Sequence, residues 1–198
     1  IPVPMYQDAP AADLAFVLND AEIAYAIVED QEQVDKMLEV QPQVPTLAHI
    51  YFDNDRGLRN YETVTSYDRL QQIGREFDAA HPGFYDAEVA LGDTHDTAIM
   101  LYTSGTTGRP KGVCQTHHAL ISAARGGIEF DHLTADESIL SYLPKAWVGD
   151  NLFSYAQAFV VGFTINCPES GDTVMTDLRE IGPTYYFAPP RVFENLLT

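Results

Sequence analysis

Residues 102–113 read YTSGTTGRPKGV and hold the side chains best suited to chemistry in this sequence. Glycines, hydroxyl side chains and one lysine follow an apolar run at residues 96–101. Such a loop can present backbone N–H groups, hydroxyls and an ammonium group to a polyanion, as the binding of nucleotide phosphates requires. The candidate phosphate-binding residues are Thr103, Ser104, Gly105, Thr106, Thr107, Gly108 and Lys111.

Two common phosphate-binding loops do not fit this segment. A Walker A loop needs glycine at position 110 and Ser or Thr after the lysine, but the chain has Pro110 and Gly112 there. A dinucleotide-binding G-x-G-x-x-G pattern needs a glycine where Thr103 stands. An ordinary Gly/Thr surface turn is the remaining alternative, although such turns rarely continue into Pro-Lys-Gly and a new apolar strand.

The string as a whole resembles the phosphate loop of the adenylate-forming enzymes, the superfamily of acyl-CoA synthetases, luciferases and peptide-synthetase adenylation domains. Three further segments extend the resemblance over most of the chain: residues 1–8 (IPVPMYQD), 141–151 (SYLPKAWVGDN) and 188–197 (APPRVFENLL). The last two are most similar to synthetases that act on long-chain fatty acids.

The resemblance implies a reaction and roles for individual residues. The full-length enzyme would activate a long-chain fatty acid with ATP as acyl-AMP and then transfer the acyl group to CoA. Lys111 would be a catalytic residue that stabilises the phosphates, and Thr103 would help to hold Mg²⁺. Trp147 takes the place of an aromatic residue, often His, beside the acyl pocket of the family, so it is predicted to be a wall or gate of that pocket or a core residue. Lys145 and Trp147 depart from the more usual Leu-Ala-His pattern, which argues against a catalytic histidine here.

Several family segments are missing from the 198 residues. We find no Tyr-Gly-x-Thr-Glu segment, no Thr-Gly-Asp segment and no small C-terminal domain with its catalytic lysine. The chain is therefore expected to be a fragment of the AMP-binding N-terminal domain that is inactive alone. Two alternatives stay open: an adenylate-forming ligase for another carboxylic acid, and a fragment that only binds.

Composition limits the partners of the protein. The net charge is −18, from 29 acidic and 11 basic side chains, which argues against nucleic acid and anionic membrane as partners. The longest apolar stretch, residues 158–163, is too short to span a bilayer, and no signal peptide is visible. A cytoplasmic location is expected, with peripheral membrane contact by the full enzyme allowed and the oligomeric state open. Cys114 and Cys167 have no metal-binding spacing and are expected to be small buried residues.

Alternating apolar and amphipathic segments predict an α/β fold, a mainly parallel sheet with helices on both faces. Helices are predicted at residues 11–19, 31–40, 67–80, 118–126, 151–161 and 173–181, and from about Arg191. Strands are predicted at residues 23–28, 47–52, 97–102, 112–115, 139–143, 164–167 and 184–188. Ser66 and Asp150 are predicted N-caps. The acidic, loop-rich residues 83–96 are the candidate internal boundary.

Overall fold

The computed structural model describes residues 1–59, 61–103 and 109–196, with side chains through Glu194. The chain forms two compact units. The N-terminal unit consists of Gln7–Asp93 and Tyr102–Gly112. The C-terminal unit consists of Ile1–Tyr6, Thr94–Leu101 and Val113–Thr198.

The N-terminal unit is built on a parallel sheet in the order β1-β2-β3. Its elements are α1 (Ala11–Asp20), β1 (Tyr25–Val28), α2 (Gln31–Val40), β2 (His49–Phe52), β3 (Thr65–Ser66), α3 (Tyr67–Ala80) and α4 (Phe84–Ala90). The core of this unit lies between helices α1 and α2 and one face of the sheet. Its buried residues include Leu18, Val34, Val40 and Ile50. The α/β prediction is thus confirmed: β1 and β2 lie within the predicted strands 23–28 and 47–52 and pair in parallel, whereas β3 was not predicted.

Local sequence signals explain where α2 and α3 begin. The Asp30 carboxylate accepts a hydrogen bond from the backbone N–H of Gln33 at 3.2 Å, and Ser66 Oγ accepts one from Arg69 at 3.2 Å. Each bond satisfies one of the N–H groups that a helix leaves unpaired in its first turn. The predicted Ser66 cap is therefore confirmed.

The C-terminal unit holds the second half of the α/β pattern. The β4–β5 pair begins and ends in this unit, although residues 102–103 of β4 and 111–112 of β5 are assigned to the N-terminal unit, and a parallel β6–β7 pair follows. The elements are β4 (Thr97–Thr103), β5 (Lys111–Thr116), α5 (His117–Asp131), β6 (Ser138–Leu140), a π-helix (Asp150–Ala156), α6 (Gln157–Val161), β7 (Thr164–Asn166), α7 (Val174–Ile181) and α8 (Pro190–Leu196). Ile139, Ala158 and Phe163 form its buried cluster, against which Tyr185 packs.

Three local predictions were wrong. Residues 184–188 form no strand, although Thr184 N–H donates to the carbonyl of Ser138 at 2.9 Å. The single helix predicted at 151–161 is a π-helix followed by a short α-helix. Both cysteines are exposed, because β5 around Cys114 is exposed on both sides and Cys167 lies just beyond the end of β7.

Candidate active site

The β4 and β5 strands place two of the predicted phosphate-binding residues. Ile99 and Leu101 of β4 are buried, and the strand ends at the exposed Thr103. The next strand, β5, begins at the exposed Lys111 and is hydrogen-bonded to β4. The connection between these neighbouring strands is too short for a parallel crossover, so they run antiparallel and bring Thr103 and Lys111 to the same end of the pair.

Contacts within each unit anchor the strand that leads to Thr103. In the C-terminal unit, the backbone N–H of Met100 donates to the carbonyl of Pro2 at 3.0 Å. In the N-terminal unit, the Tyr102 hydroxyl donates to Asp20 Oδ2, the last residue of α1, at 2.6 Å. The end of β4 is therefore held immediately before the candidate loop.

Thr103 and Lys111 keep their polar groups available. Neither side chain makes a hydrogen bond or ion pair to another residue in the part of the chain that the structure describes. The other predicted phosphate-binding residues lie outside the described residues: Ser104, Gly105, Thr106, Thr107 and Gly108. The structure thus brings together the two ends of the predicted loop, a hydroxyl and an ammonium.

Trp147 lies on a turn in the C-terminal unit. Its backbone N–H donates to the carbonyl of Pro144 at 2.9 Å, and its carbonyl accepts from Asn151 Nδ2 at 2.8 Å. The residue is 39% exposed. Trp147 therefore has a fixed backbone and an accessible ring.

A buried ionic cluster follows the turn, and sequence reasoning missed it. Asp150 is fully buried, and its carboxylate accepts hydrogen bonds from Ser141 Oγ at 2.9 Å, Ser154 Oγ at 3.1 Å and Lys145 Nζ at 2.8 Å. Asp150 was predicted to be an N-cap, but it is the first residue of the π-helix, and no side chain caps this helix. The carboxylate points inward, where the lysine and the two hydroxyls satisfy it.

Lys145 is half-buried, and opposing effects act on its ammonium. Burial lowers the pKa of Lys145, but the hydrogen bond to Asp150 and the contact with Tyr155 outweigh it, so the pKa is raised. The Tyr155 ring centroid lies 4.7 Å from Lys145 Nζ. The ammonium is therefore charged at neutral pH. The signal that could have revealed the cluster is a lysine and an aspartate five residues apart, flanked by Ser141 and Ser154.

A small apolar cavity lies beside this cluster in the same unit. It has a volume of about 10 Å³, room for roughly one water molecule. Its lining comprises Ile139, Leu140, Leu143, Phe153, Ser154, Tyr185 and Phe187. The rings of Phe153 and Phe187 stack with centroids 4.2 Å apart, and a Cβ on Gly149 would lie 3.2 Å from Phe187. These two stacked rings form part of the cavity wall.

Comparisons with known proteins show the family to which the chain belongs. The family of AMP-binding enzymes matches residues 1–198, so the chain belongs to that family. The long-chain-fatty-acid–CoA ligase FadD15 of Mycobacterium bovis is 29% identical over 198 residues, covering 99% of this chain and 31% of the relative. Fatty acyl-CoA synthetase B of Dictyostelium discoideum is 30% identical over 206 residues, covering 99% of this chain and 29% of the relative. The chain thus spans about a third of the length of these relatives.

A solved structure supports the fold. The crystal structure of the anthranilate CoA ligase AuaEII in complex with anthranoyl-AMP superposes with a TM-score of 0.77 at 20% identity, covering 95% of this chain and 35% of that one. The resemblance to adenylate-forming enzymes is therefore confirmed in family and fold. Among the described helices, none combines the length and apolar content that a membrane span needs.

Proposed function

We propose that the protein containing this chain activates a long-chain fatty acid with ATP, releasing pyrophosphate and forming acyl-AMP, and then transfers the acyl group to the thiol of CoA. The observation that carries the proposal is the convergence of Thr103 and Lys111 at the two ends of a Gly- and hydroxyl-rich connection. Family membership supports the adenylate-forming class, and the names of the relatives support the fatty acid.

Adenylate formation requires that negative charge be neutralised, and Lys111 and Thr103 are suited to this. A carboxylate attacks the α-phosphate of ATP, and pyrophosphate leaves, so two anions must be brought together. Lys111 is exposed and supplies a point charge for the phosphate oxygens. The Thr103 hydroxyl is a hard oxygen donor with no partner in the described part of the chain, which fits Mg²⁺. The ion would neutralise phosphate charge next to Lys111.

The acid-binding end is assigned to the C-terminal unit. Trp147 presents an accessible ring, and the nearby cavity is apolar apart from Ser154 and the Tyr185 hydroxyl. The cavity has room for roughly one water molecule, so a fatty acyl chain would need the lining side chains, among them the stacked Phe153 and Phe187, to move. The small, aromatic cavity also favours the second candidate, a ligase for a compact or aromatic acid.

Substitution of Lys111 tests the phosphate site. We expect Lys111→Ala in the intact enzyme to slow ATP–pyrophosphate exchange by about 10- to 150-fold, because one charge-assisted contact worth about 1.5–3 kcal/mol is lost. Arg125→Ala, which removes an exposed cation from α5, is the matched control and should leave the rate unchanged. Equal rates in wild type and Lys111→Ala would remove Lys111 from the mechanism.

The acid is identified by measuring exchange with a panel of carboxylic acids. Rates that rise with chain length support the fatty-acid proposal, whereas preference for short or aromatic acids supports the second candidate.

Calorimetry of the 198-residue chain with ATP and Mg²⁺ separates a nucleotide-binding domain from a fragment with another role. No heat of binding by a folded chain would favour the latter.

A further inference from the structure

The buried Asp150 carboxylate requires a cation, and Lys145 supplies it. Asp150 is fully buried, with both oxygens engaged: Oδ1 by Ser141 and Ser154, and Oδ2 by Lys145 at 2.8 Å. A buried carboxylate that loses its cation is strongly destabilised, since the remaining hydroxyls do not neutralise it. The pair therefore fixes the positions of both residues.

The Lys145 ammonium has its contacts filled by protein groups. Two of its three N–H donors are engaged, by Asp150 Oδ2 at 2.8 Å and by Ser141 Oγ at 2.9 Å, and the Tyr155 ring centroid lies 4.7 Å from Nζ. The positive charge is thus committed to the buried carboxylate. Its role is therefore to position other groups rather than to contact the reactants.

The segment that the pair closes carries Trp147. Lys145 and Asp150 stand on either side of it, and their side chains join the two ends. Asn151 adds a second clamp, because its Nδ2 donates to the carbonyls of Lys145 at 2.9 Å and Trp147 at 2.8 Å. An exposed indole thus stands on a turn whose backbone is held from inside the unit.

The same carboxylate is linked to the cavity through Ser154. Ser154 donates to Asp150 and lines the cavity, and its neighbour Phe153 stacks on Phe187 across it. Both Phe153 and Ser154 belong to the π-helix that Asp150 begins. π-Helices are rare and frequently occur at functional sites, where they alter the direction of side chains.

We propose that the Lys145–Asp150 ion pair is a positioning device that holds Trp147 and the π-helix residues Phe153 and Ser154 in place, and so determines which acids the enzyme accepts. The inference rests on the proposed acid-activating function. Lys145 and Asp150 are positioning residues, and the groups they place are the ones that meet the acid.

Three variants of the intact enzyme test the proposal. Lys145→Met removes the cation, and the double variant Lys145→Met/Asp150→Leu replaces the whole pair by apolar side chains. Lys36→Met is the matched control, because Lys36 also pairs with a carboxylate, Glu32, at 2.9 Å, but lies in the N-terminal unit. The measurements are the thermal midpoint, and kcat and KM for ATP and for the acid separately.

The double variant separates positioning from stability. We expect Lys145→Met to lower the thermal midpoint and the double variant to recover it, because an apolar pair leaves no buried charge. Both variants should raise KM for the preferred acid at least tenfold and flatten the chain-length profile, with KM for ATP within about twofold of wild type. Lys36→Met should change neither KM. A double variant with wild-type KM and profile for the acid would overturn the proposal.

Trp147 provides a readout that does not depend on activity. The fluorescence of Trp147 is obtained by subtracting the emission of the matching Trp147→Phe protein at each acrylamide concentration. We expect the quenching constant of Trp147 to change in both Lys145 variants and to stay unchanged in Lys36→Met. Unchanged quenching in the folded double variant would refute the positioning role. A wild type without pyrophosphate exchange would count against the proposed function instead.

Discussion

Two adjacent glycines of α5 allow a sharp test of the packing in the C-terminal unit. A Cβ on Gly127 would lie 2.6 Å from Gln157 Nε2, whereas a Cβ on Gly126 meets nothing within 4 Å. Gln157 is fully buried on α6, so its amide must shift within the packed interior to admit the methyl group. The same substitution at neighbouring positions of one helix should therefore have opposite effects.

The magnitudes follow from helix propensity and overpacking. Gly126→Ala should stabilise the chain by about 0.4–1 kcal/mol, because alanine restricts the unfolded chain and suits a helix interior. Gly127→Ala has the same gain, but inserting a methyl group into a filled site costs about 1–3 kcal/mol. We expect the unfolding free energies of the two variants to differ by about 1–3 kcal/mol, with Gly127→Ala the less stable.

Urea unfolding of the two variants and wild type, compared at constant m-value, measures this difference. A double-mutant cycle identifies the cause: in a Gln157→Ala background, Gly127→Ala should become stabilising, because the clashing amide has gone. Equal stabilisation by Gly126→Ala and Gly127→Ala in the wild-type background would refute the packing of α5 on α6 described above.

Two further predictions concern pH and helix capping. Burial, followed by the hydrogen bond to Asp131 at 3.1 Å, raises the pKa of Tyr185 to about 12. Asp131→Asn should lower that pKa toward 10, as phenolate absorbance against pH will measure after subtraction of Tyr185→Phe. Because the pKa of Tyr185 is higher in the folded than in the unfolded chain, the stability that this residue contributes is complete below about pH 10 and is lost as pH rises through about 12. A Tyr185 pKa that is unchanged in Asp131→Asn would contradict the role given to the hydrogen bond with Asp131. Ser66→Ala should cost about 0.5–2 kcal/mol in urea unfolding through loss of the cap on α3, and Ser66→Asp should retain it; equal stability of the alanine variant and wild type would show that the cap contributes nothing.

Local patterns in the sequence were sufficient for many elements. The predicted helices 31–40 and 67–80 coincide with α2 and α3, because capping residues and apolar spacing mark their ends. The predicted strand 97–102 corresponds to β4, whose buried Ile99 and Leu101 alternate with less buried neighbours. The apolar pattern of residues 184–188 also predicts a strand, but only Thr184 is hydrogen-bonded to β6. A strand forms only where a neighbouring strand lies at hydrogen-bonding distance, and the local sequence does not contain that information.

Some residues of the candidate site could be predicted from the sequence, and others could not. The Gly- and hydroxyl-rich string and its lysine could be recognised from residue types alone, because approach to phosphates requires those types at that spacing. The pairing of Lys145 with Asp150 could not, and Asp150 was wrongly taken as a helix cap. Both readings are consistent with the local sequence, and the difference depends on whether the carboxylate faces solvent or interior.

The sequence by itself determined the kind of chemistry, the α/β pattern of elements and the position of the candidate phosphate loop. Only the tertiary structure decided that Asp150 is buried, that Lys145 neutralises its charge, and that two serine hydroxyls donate hydrogen bonds to it beside the turn that carries Trp147. The physical reason is that backbone preferences and apolar periodicity act between residues close in the chain. The cost of burying a charge depends on everything that packs around it, and much of that comes from distant segments.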